Sequence, residues 1–312
     1  MAAVDARHRI VGNVTRGNET RRLHKAVLEW YAANGRDLAF RRTCDPWAIL
    51  VSEVIAQQTQ AARAAEAWER FIEAFPTPAA LAAVSPGTVI RAWRGLGYNR
   101  RAVALRAAAI RIVEDHEGLV PDTLEALAAL PGVGPYTARA VLAFAFDRRV
   151  APLDTNIRRV LDRAMGPLPT ASKALQSTAD GLVPPDAAAD WAHALMDLGA
   201  TICVARAPRC DACPIRTWCR IGQAGIASSM EMAFPRATGS RRSPAFPTTT
   251  RWLRGRILDR LRDAPDGAWV TFDAALGAHS TERVAGALGR LAAEGMIEQH
   301  EADPPRFRLQ TV

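Results

Sequence analysis

Lysine is almost missing from this chain. Lys25 and Lys173 are the only two among 312 residues, although Lys and Arg together number 40 against 32 Asp and Glu. The net charge of +8 is therefore carried by arginine, with a pI of about 9.9. Such an excess favours a polyanionic partner, nucleic acid before membrane surface. A GC-rich genome produces the same arginine and alanine bias, so charge alone is a weak pointer. No run of about 20 apolar residues occurs, so no membrane span is expected. The opening stretch "MAAVDARHRIVGNVTRGNETRR" lacks an apolar h-region, so no signal peptide is expected. Residues 1–20 read as a flexible basic leader, and the expected compartment is the bacterial cytoplasm, with the nucleoid, where thiols stay reduced. A strand-like alternation is also missing before residue 265.

What is present is helical periodicity, with enough apolar residues, 49%, for sizeable cores. "HKAVLEWYAANG" carries apolar residues at helical spacing and stops on Gly35. "CDPWAILVSEVIAQQTQAARAAEAWERFIEAF" opens with Asp45 as N-cap and Pro46 at N1, and runs as helix until Pro76. Further helices are predicted over Pro78–Val84, Pro86–Trp93, Asn99–His116, Asp122–Leu130, Asn156–Ala164, Ser172–Leu182 and Ala187–Leu198. Residues 21–222 thus read as all-α. A Pro/Ser/Thr/Arg-rich linker follows over 223–250. Residues 251–312 read as a winged-helix-like α+β domain. Its parts are a helix Arg251–Arg262, a strand Trp269–Thr271, a short helix, a helix Ser280–Glu294 and a final strand pair. Residues 236–262 hold eight arginines and one acid, Asp259, which suits a DNA-contacting accessory domain. A protein-contact module is the plainer alternative.

"LPGVGPYTARAV" places Gly132, Val133 and Gly134 between two predicted helices. The glycines permit positive φ and close backbone approach. Such a turn aims N–H groups outward at the positive end of a helix dipole, an anion site suited to a DNA phosphate. Cys203, Cys210, Cys213 and Cys219 follow C-x6-C-x2-C-x5-C. Four thiols within 17 residues point to a metal site rather than to disulfides. Zinc and a [4Fe–4S] cluster both accept four cysteines, and the residues alone lean to zinc. Cys44 stands apart as a bystander.

Taken in order, "SEVIAQQTQ", "GLGYNR", "LPGVGPYTA", "PLDTNIRRVL", "LMDLGATIC" and the cysteine spacing resemble the endonuclease III superfamily. The likeness covers about residues 20–222 and is greatest to the MutY branch of adenine DNA glycosylases. It implies a two-lobed helix-hairpin-helix fold with the active site in the cleft between lobes. It also implies a [4Fe–4S] cluster on the four cysteines, against the lean to zinc. Mismatched or oxidised double-stranded DNA is the implied partner, and a monomer the expected state.

The resemblance gives roles to single residues. A base must be flipped out of the stack before it is cut from its sugar. Glu53, in the apolar stretch "AILVSEVIA", is the implied general acid toward adenine N7, kept protonated by desolvation. Asp154, at a predicted helix start, is the anion that stabilises an oxocarbenium ion. Without the likeness, Glu53 reads as a solvated face and Asp154 as a plain N-cap. Asn156 is implied to orient the carboxylate or a water. Tyr136 stands where bifunctional relatives carry the lysine that forms a Schiff base, so a monofunctional enzyme is predicted. Gln58 and Tyr98 match residues inserted into the duplex. Arg41 and Asp197 match positions lining or bracing the base pocket. His193 and Trp191 are expected only to pack.

Three departures bear on specificity. Phe40 replaces a pocket-side tryptophan, and Ala56 replaces a leucine that packs on the base. Residues 223–312 are too short for the Nudix-like domain that recognises 8-oxoguanine in common members of the branch. Adenine opposite 8-oxoguanine or G is the leading substrate. A mismatch thymine or uracil glycosylase is the enzymatic alternative, and a non-catalytic winged-helix DNA-binding regulator the alternative from another class.

Overall fold

The computed structural model describes residues 19–166, 168–224 and 245–311. Most of the expected leader, residues 1–18, and most of the expected linker, residues 225–244, lie outside the described residues. The chain forms two compact units. One comprises Met1–Asp37 and Pro135–Arg236, the other Leu38–Gly134 and Ala237–Val312.

The second unit starts from helix Pro46–Ala56. The Asp45 carboxylate accepts from the Trp47 and Ala48 amides at 3.3 and 3.1 Å, and Pro46 fills N1. Every residue from Trp47 to Ile55 is buried, the pattern of a helix with no solvent face. The continuous helix predicted up to Pro76 is not formed. It breaks after Ala56 and restarts as Ala61–Ala74. The cause is Arg101, whose guanidinium takes the carbonyls of Val54, Ile55 and Gln57 at 2.9, 3.1 and 2.6 Å. Those are the orphan acceptors of a helix end. Two indoles fasten this helix pair, Trp47 Nε1 to Phe75 O and Trp68 Nε1 to Ala48 O. Helices Pro78–Ala82, Pro86–Ala92, Arg100–Asp115 and Leu124–Ala129 follow. Thr77, Ser85 and Thr123 each cap a helix through the side-chain oxygen.

The C-terminal part of this unit holds helices Thr250–Asp263 and Thr281–Ala293 beside a three-stranded antiparallel sheet. Strand Arg306–Leu309 is central, pairing Phe307 with Val270 and Leu309 with Ile297. The short helix expected after the first strand is absent. Leu276 and His279 instead exchange both backbone hydrogen bonds around Gly277, whose φ is +60°. The Trp252 ring fills the space a Gly277 Cβ would need, at 2.4 Å, so the segment closes as a turn under the indole. His279, buried, stacks on Trp252 and contacts Pro247 O through Nε2. Leu253, Ile257, Leu288 and Phe307 form a core that also includes Ile90 of helix Pro86–Ala92. The C-terminal segment is therefore seated on that helix. The Gly87 amide donates to Gln310 O at 2.8 Å, and Arg262 Nε donates to Ile90 O at 2.9 Å.

The first unit packs helices 19–34, Pro135–Phe146, Thr155–Met165, Ser172–Gly181 and Ala188–Thr201 around Val27, Ile157, Leu161, Leu195 and Leu198. Asp180 ties it together, accepting from both Arg139 and Gln176 and from the Ala151 amide. His193 stacks on Phe144 at 4.2 Å, and buried Trp191 meets His24 edge-on.

Candidate active site and cysteine cage

Glu53 sits near the end of the all-buried helix Pro46–Ala56 and is 8% exposed. It is one of nine consecutive buried residues of that helix, Trp47 to Ile55. Ala56 ends the same helix, and Phe40 lies edge-on to Trp68 at 6.2 Å. Arg41 closes a single 3-10 turn, Ala39–Arg41. Asp197, fully buried in the other unit, takes the Arg36 amide on Oδ2 at 2.8 Å and Arg36 Nε on Oδ1 at 2.7 Å. Arg36 follows the end of helix 19–34 and was not singled out from the sequence.

Asp154 caps helix Thr155–Met165. Its Oδ1 accepts from the Ile157 amide at 2.6 Å and its Oδ2 from Asn156 Nδ2 at 3.0 Å. Asn156 is itself held, because Arg159 donates to its Oδ1 at 2.8 Å. Arg159 also donates to Gly199 O at 2.6 Å and Cys203 O at 2.8 Å. A Cβ on Gly199 would lie 2.7 Å from Asn156 Cβ, so only glycine lets helix Ala188–Thr201 approach this closely. The result is a carboxylate fixed by two donors at the positive end of a helix.

Between Leu130 and Gly134 the chain makes the expected tight turn, with the Val133 amide bonded to Leu130 O. Val133 is buried and anchors the turn, while Gly132 and Gly134 are exposed. Gly132 has φ +77°, and its Cβ would meet Ala104 Cβ at 2.8 Å. Glycine is thus needed there on two counts. Tyr136, half-buried, is the second residue of helix Pro135–Phe146.

Gln58 and Tyr98 occupy separate loops, yet both line one groove, and both adopt left-handed backbone with φ of +56° and +44°. Non-glycine residues in that region carry strain that collects at functional sites. Arg101 holds the two loops together. Besides its bonds to the helix end and Gln57, it donates to Leu96 O and Gly97 O at 3.1 and 3.2 Å. Its guanidinium lies 5.7 Å from the Tyr98 ring centre, and burial lowers its pKa. The sequence signal for Arg101, an arginine two residues after "GYN", is too local to reveal these contacts.

Cys203, Cys210, Cys213 and Cys219 line a single small cavity with apolar walls from Val160, Leu198, Ile202 and Ile215. None is in a disulfide. Among the described residues no three Cys, His, Asp or Glu groups converge to metal-binding distance. The donor set nonetheless fits a thiolate-held metal group. Arg163 Nη1 lies 3.3 Å from Cys203 Sγ and the Gly222 amide donates to Cys219 Sγ at 3.4 Å, contacts that suit sulfur bearing negative charge. Burial pushes the Cys213 thiol up to about 11, and burial with the neighbouring Cys219 and Cys203 raises Cys210. Cys44 is exposed and apart.

A family model described as "HhH-GPD superfamily base excision DNA repair protein" matches residues 51–185, a span containing Glu53, the glycine turn and Asp154. The chain is 43% identical to an adenine DNA glycosylase of Mycobacterium tuberculosis over 78% of this chain and 83% of that one. It is 40% identical to one of Mycolicibacterium smegmatis over 88% and 92%. In three dimensions it resembles a thermostable thymine-DNA glycosylase, with TM-score 0.63 and 30% identity, covering 67% of this chain and 99% of that one. With long relatives of this identity on both sides of the glycine turn, the chain belongs to the HhH-GPD superfamily of base excision DNA repair proteins.

Proposed function

We propose that this protein is a monofunctional DNA glycosylase that removes adenine mispaired with 8-oxoguanine or guanine. One observation carries the choice of base. The adenine DNA glycosylases are matched at 40–43% identity over more than four fifths of their length. The reaction breaks the bond between sugar C1′ and the base. The bonding pair leaves with the base, Glu53 gives a proton to adenine N7, and water adds to C1′ with loss of a proton. The fixed Asp154 carboxylate stabilises the oxocarbenium ion formed at the sugar. Tyr136 has no amine, so no Schiff base forms and the abasic strand stays intact until alkali is added. The four cysteines would hold a [4Fe–4S] cluster, whose iron–thiolate bonds would cross-link the loop from Cys203 to Cys219.

The test is Asp154→Asn in the full chain. Single-turnover adenine release should fall by roughly 10² or more while duplex affinity is kept. A variant as fast as wild type would refute the mechanism. A thymine or uracil glycosylase is the second reading, supported by the structural likeness to the thymine enzyme and by Phe40 and Ala56 in place of larger side chains.

A further inference from the structure

We propose that the C-terminal segment binds DNA through its first helix, and that the groove between helix Thr250–Asp263 and the Gln58 and Tyr98 loops receives a phosphodiester backbone. The groove encloses about 1100 Å³ and is lined by seven arginines and two acids. Some of these arginines serve the fold. Arg101 and Arg262 are spent on backbone carbonyls and neighbouring side chains, and Arg254 forms a two-bond pair with Glu294 at 2.9 and 2.7 Å. Arg251 and Arg256 are exposed on the helix, Arg256 ion-paired with Asp259 at 2.5 Å, and Arg63 and Arg100 are exposed on the opposite wall.

Arg251 marks the place. Its guanidinium lies 4.0 Å from the Tyr98 ring centre and donates to the phenol oxygen at 2.9 Å. It covers the face of the residue that the sequence proposes as a wedge. When Tyr98 enters a duplex, this contact breaks and the freed guanidinium sits beside the backbone of the strand being parted. A phosphate then replaces the ring as its partner.

The usual docking of such a domain, with its second helix in the major groove, suits this chain poorly. The exposed face of helix Thr281–Ala293 presents Ala285, Gly286 and Gly289 between Arg283 and Arg290, with Glu282 beside Arg283, so it offers fewer cations than the groove. Between the last two strands, the loop carries exposed Glu301 and Asp303, which repel phosphate.

This inference deepens the proposed function and rests on it for the choice of DNA as the polyanion. The full chain is titrated with a labelled undamaged duplex over a range of salt. Wild type is compared with the pair Arg251→Ala/Arg256→Ala and with the control pair Arg283→Ala/Arg290→Ala. The first pair should bind about tenfold more weakly near physiological salt, with a slope of log K against log salt shallower by about 2. The control pair should leave both unchanged, and Arg251→Lys should restore most of the single-site loss. An unchanged slope in the first pair, or a loss confined to the control pair, overturns the proposal and points to a protein as the occupant. Binding of undamaged duplex does not require excision. A wild type that shows the expected slopes but releases no adenine therefore refutes the enzymatic reading and leaves the groove standing.

Discussion

Asn156 donates from Nδ2 to Asp154 Oδ2 at 3.0 Å, and its own amide oxygen is held by Arg159. The carboxylate thus has one donor from the backbone and one from a side chain that cannot turn away. Asn156→Ala removes the second. Single-turnover excision should fall by roughly 10², the scale expected when a reacting group is slightly misplaced. Duplex affinity should stay within about twofold, since Asp154 still caps the helix by accepting from the Ile157 amide. Equal losses in rate and affinity would mean that Asn156 supports the fold rather than the chemistry.

Arg101 makes five carbonyl bonds that fasten the Gln57 turn to the Leu96–Gly97 loop. Arg101→Ala leaves buried acceptors unmatched and should cost about 2–4 kcal/mol in denaturant unfolding. Arg101→Lys, with one ammonium for a fork, should recover only part of this. Full recovery by lysine would show that charge, not the guanidinium geometry, joins the loops.

Gly87 approaches the final strand so closely that an added Cβ would lie 2.7 Å from Gln310 O. Gly87→Val should wedge the C-terminal segment away from helix Pro86–Ala92, at about 1–3 kcal/mol. Protease should then cut near residue 250 faster than in wild type. An unchanged digestion pattern would contradict the seating described for this segment.

Much of this architecture was legible from residue patterns. Asp45 stands at the helix start that the sequence indicates, because a cap is a local contest between a side-chain oxygen and four orphan amides; the start expected at Asp122 falls instead at Leu124, with Thr123 as its cap. The cysteine spacing likewise brings four thiols to one cavity. The break at Gln57–Gln60 was not legible, since its cause, Arg101, lies more than forty residues away. The turn at Gly277 failed for the same kind of reason, its geometry being set by Trp252 in the preceding helix. Arg36 as the partner of buried Asp197 was also missed, because the pair is separated by 161 residues.

Glu298 accepts from the Thr311 amide and hydroxyl and from Arg308. Burial pushes its carboxyl up, but these bonds outweigh burial and hold it below the ordinary carboxylate range. Its contribution to stability is therefore full above the unfolded-state value, about 4.3, and is lost as pH falls through the lower folded-state value. Unfolding measured from neutral pH downward should show an acid-sensitive step that Glu298→Gln lacks. An identical acid profile in the variant would mean that the carboxylate is not specifically stabilised.

The cysteine cage makes a compositional prediction. Protein purified without oxygen should contain iron and acid-labile sulfide in equal amounts, and Cys213→Ser should lose most of both. Zinc in place of iron, with no sulfide, would assign the cage to a structural zinc site.

The central claim is the identity of the excised base. Single-turnover base release should be measured on duplexes holding A opposite 8-oxoguanine, G and T, and T or U opposite G, with alkali added afterward to reveal abasic sites. The account predicts fast, alkali-dependent cleavage at A opposite 8-oxoguanine, slower cleavage at A opposite G, and little elsewhere. Cleavage confined to T or U opposite G would contradict it and point first to Phe40 and Ala56.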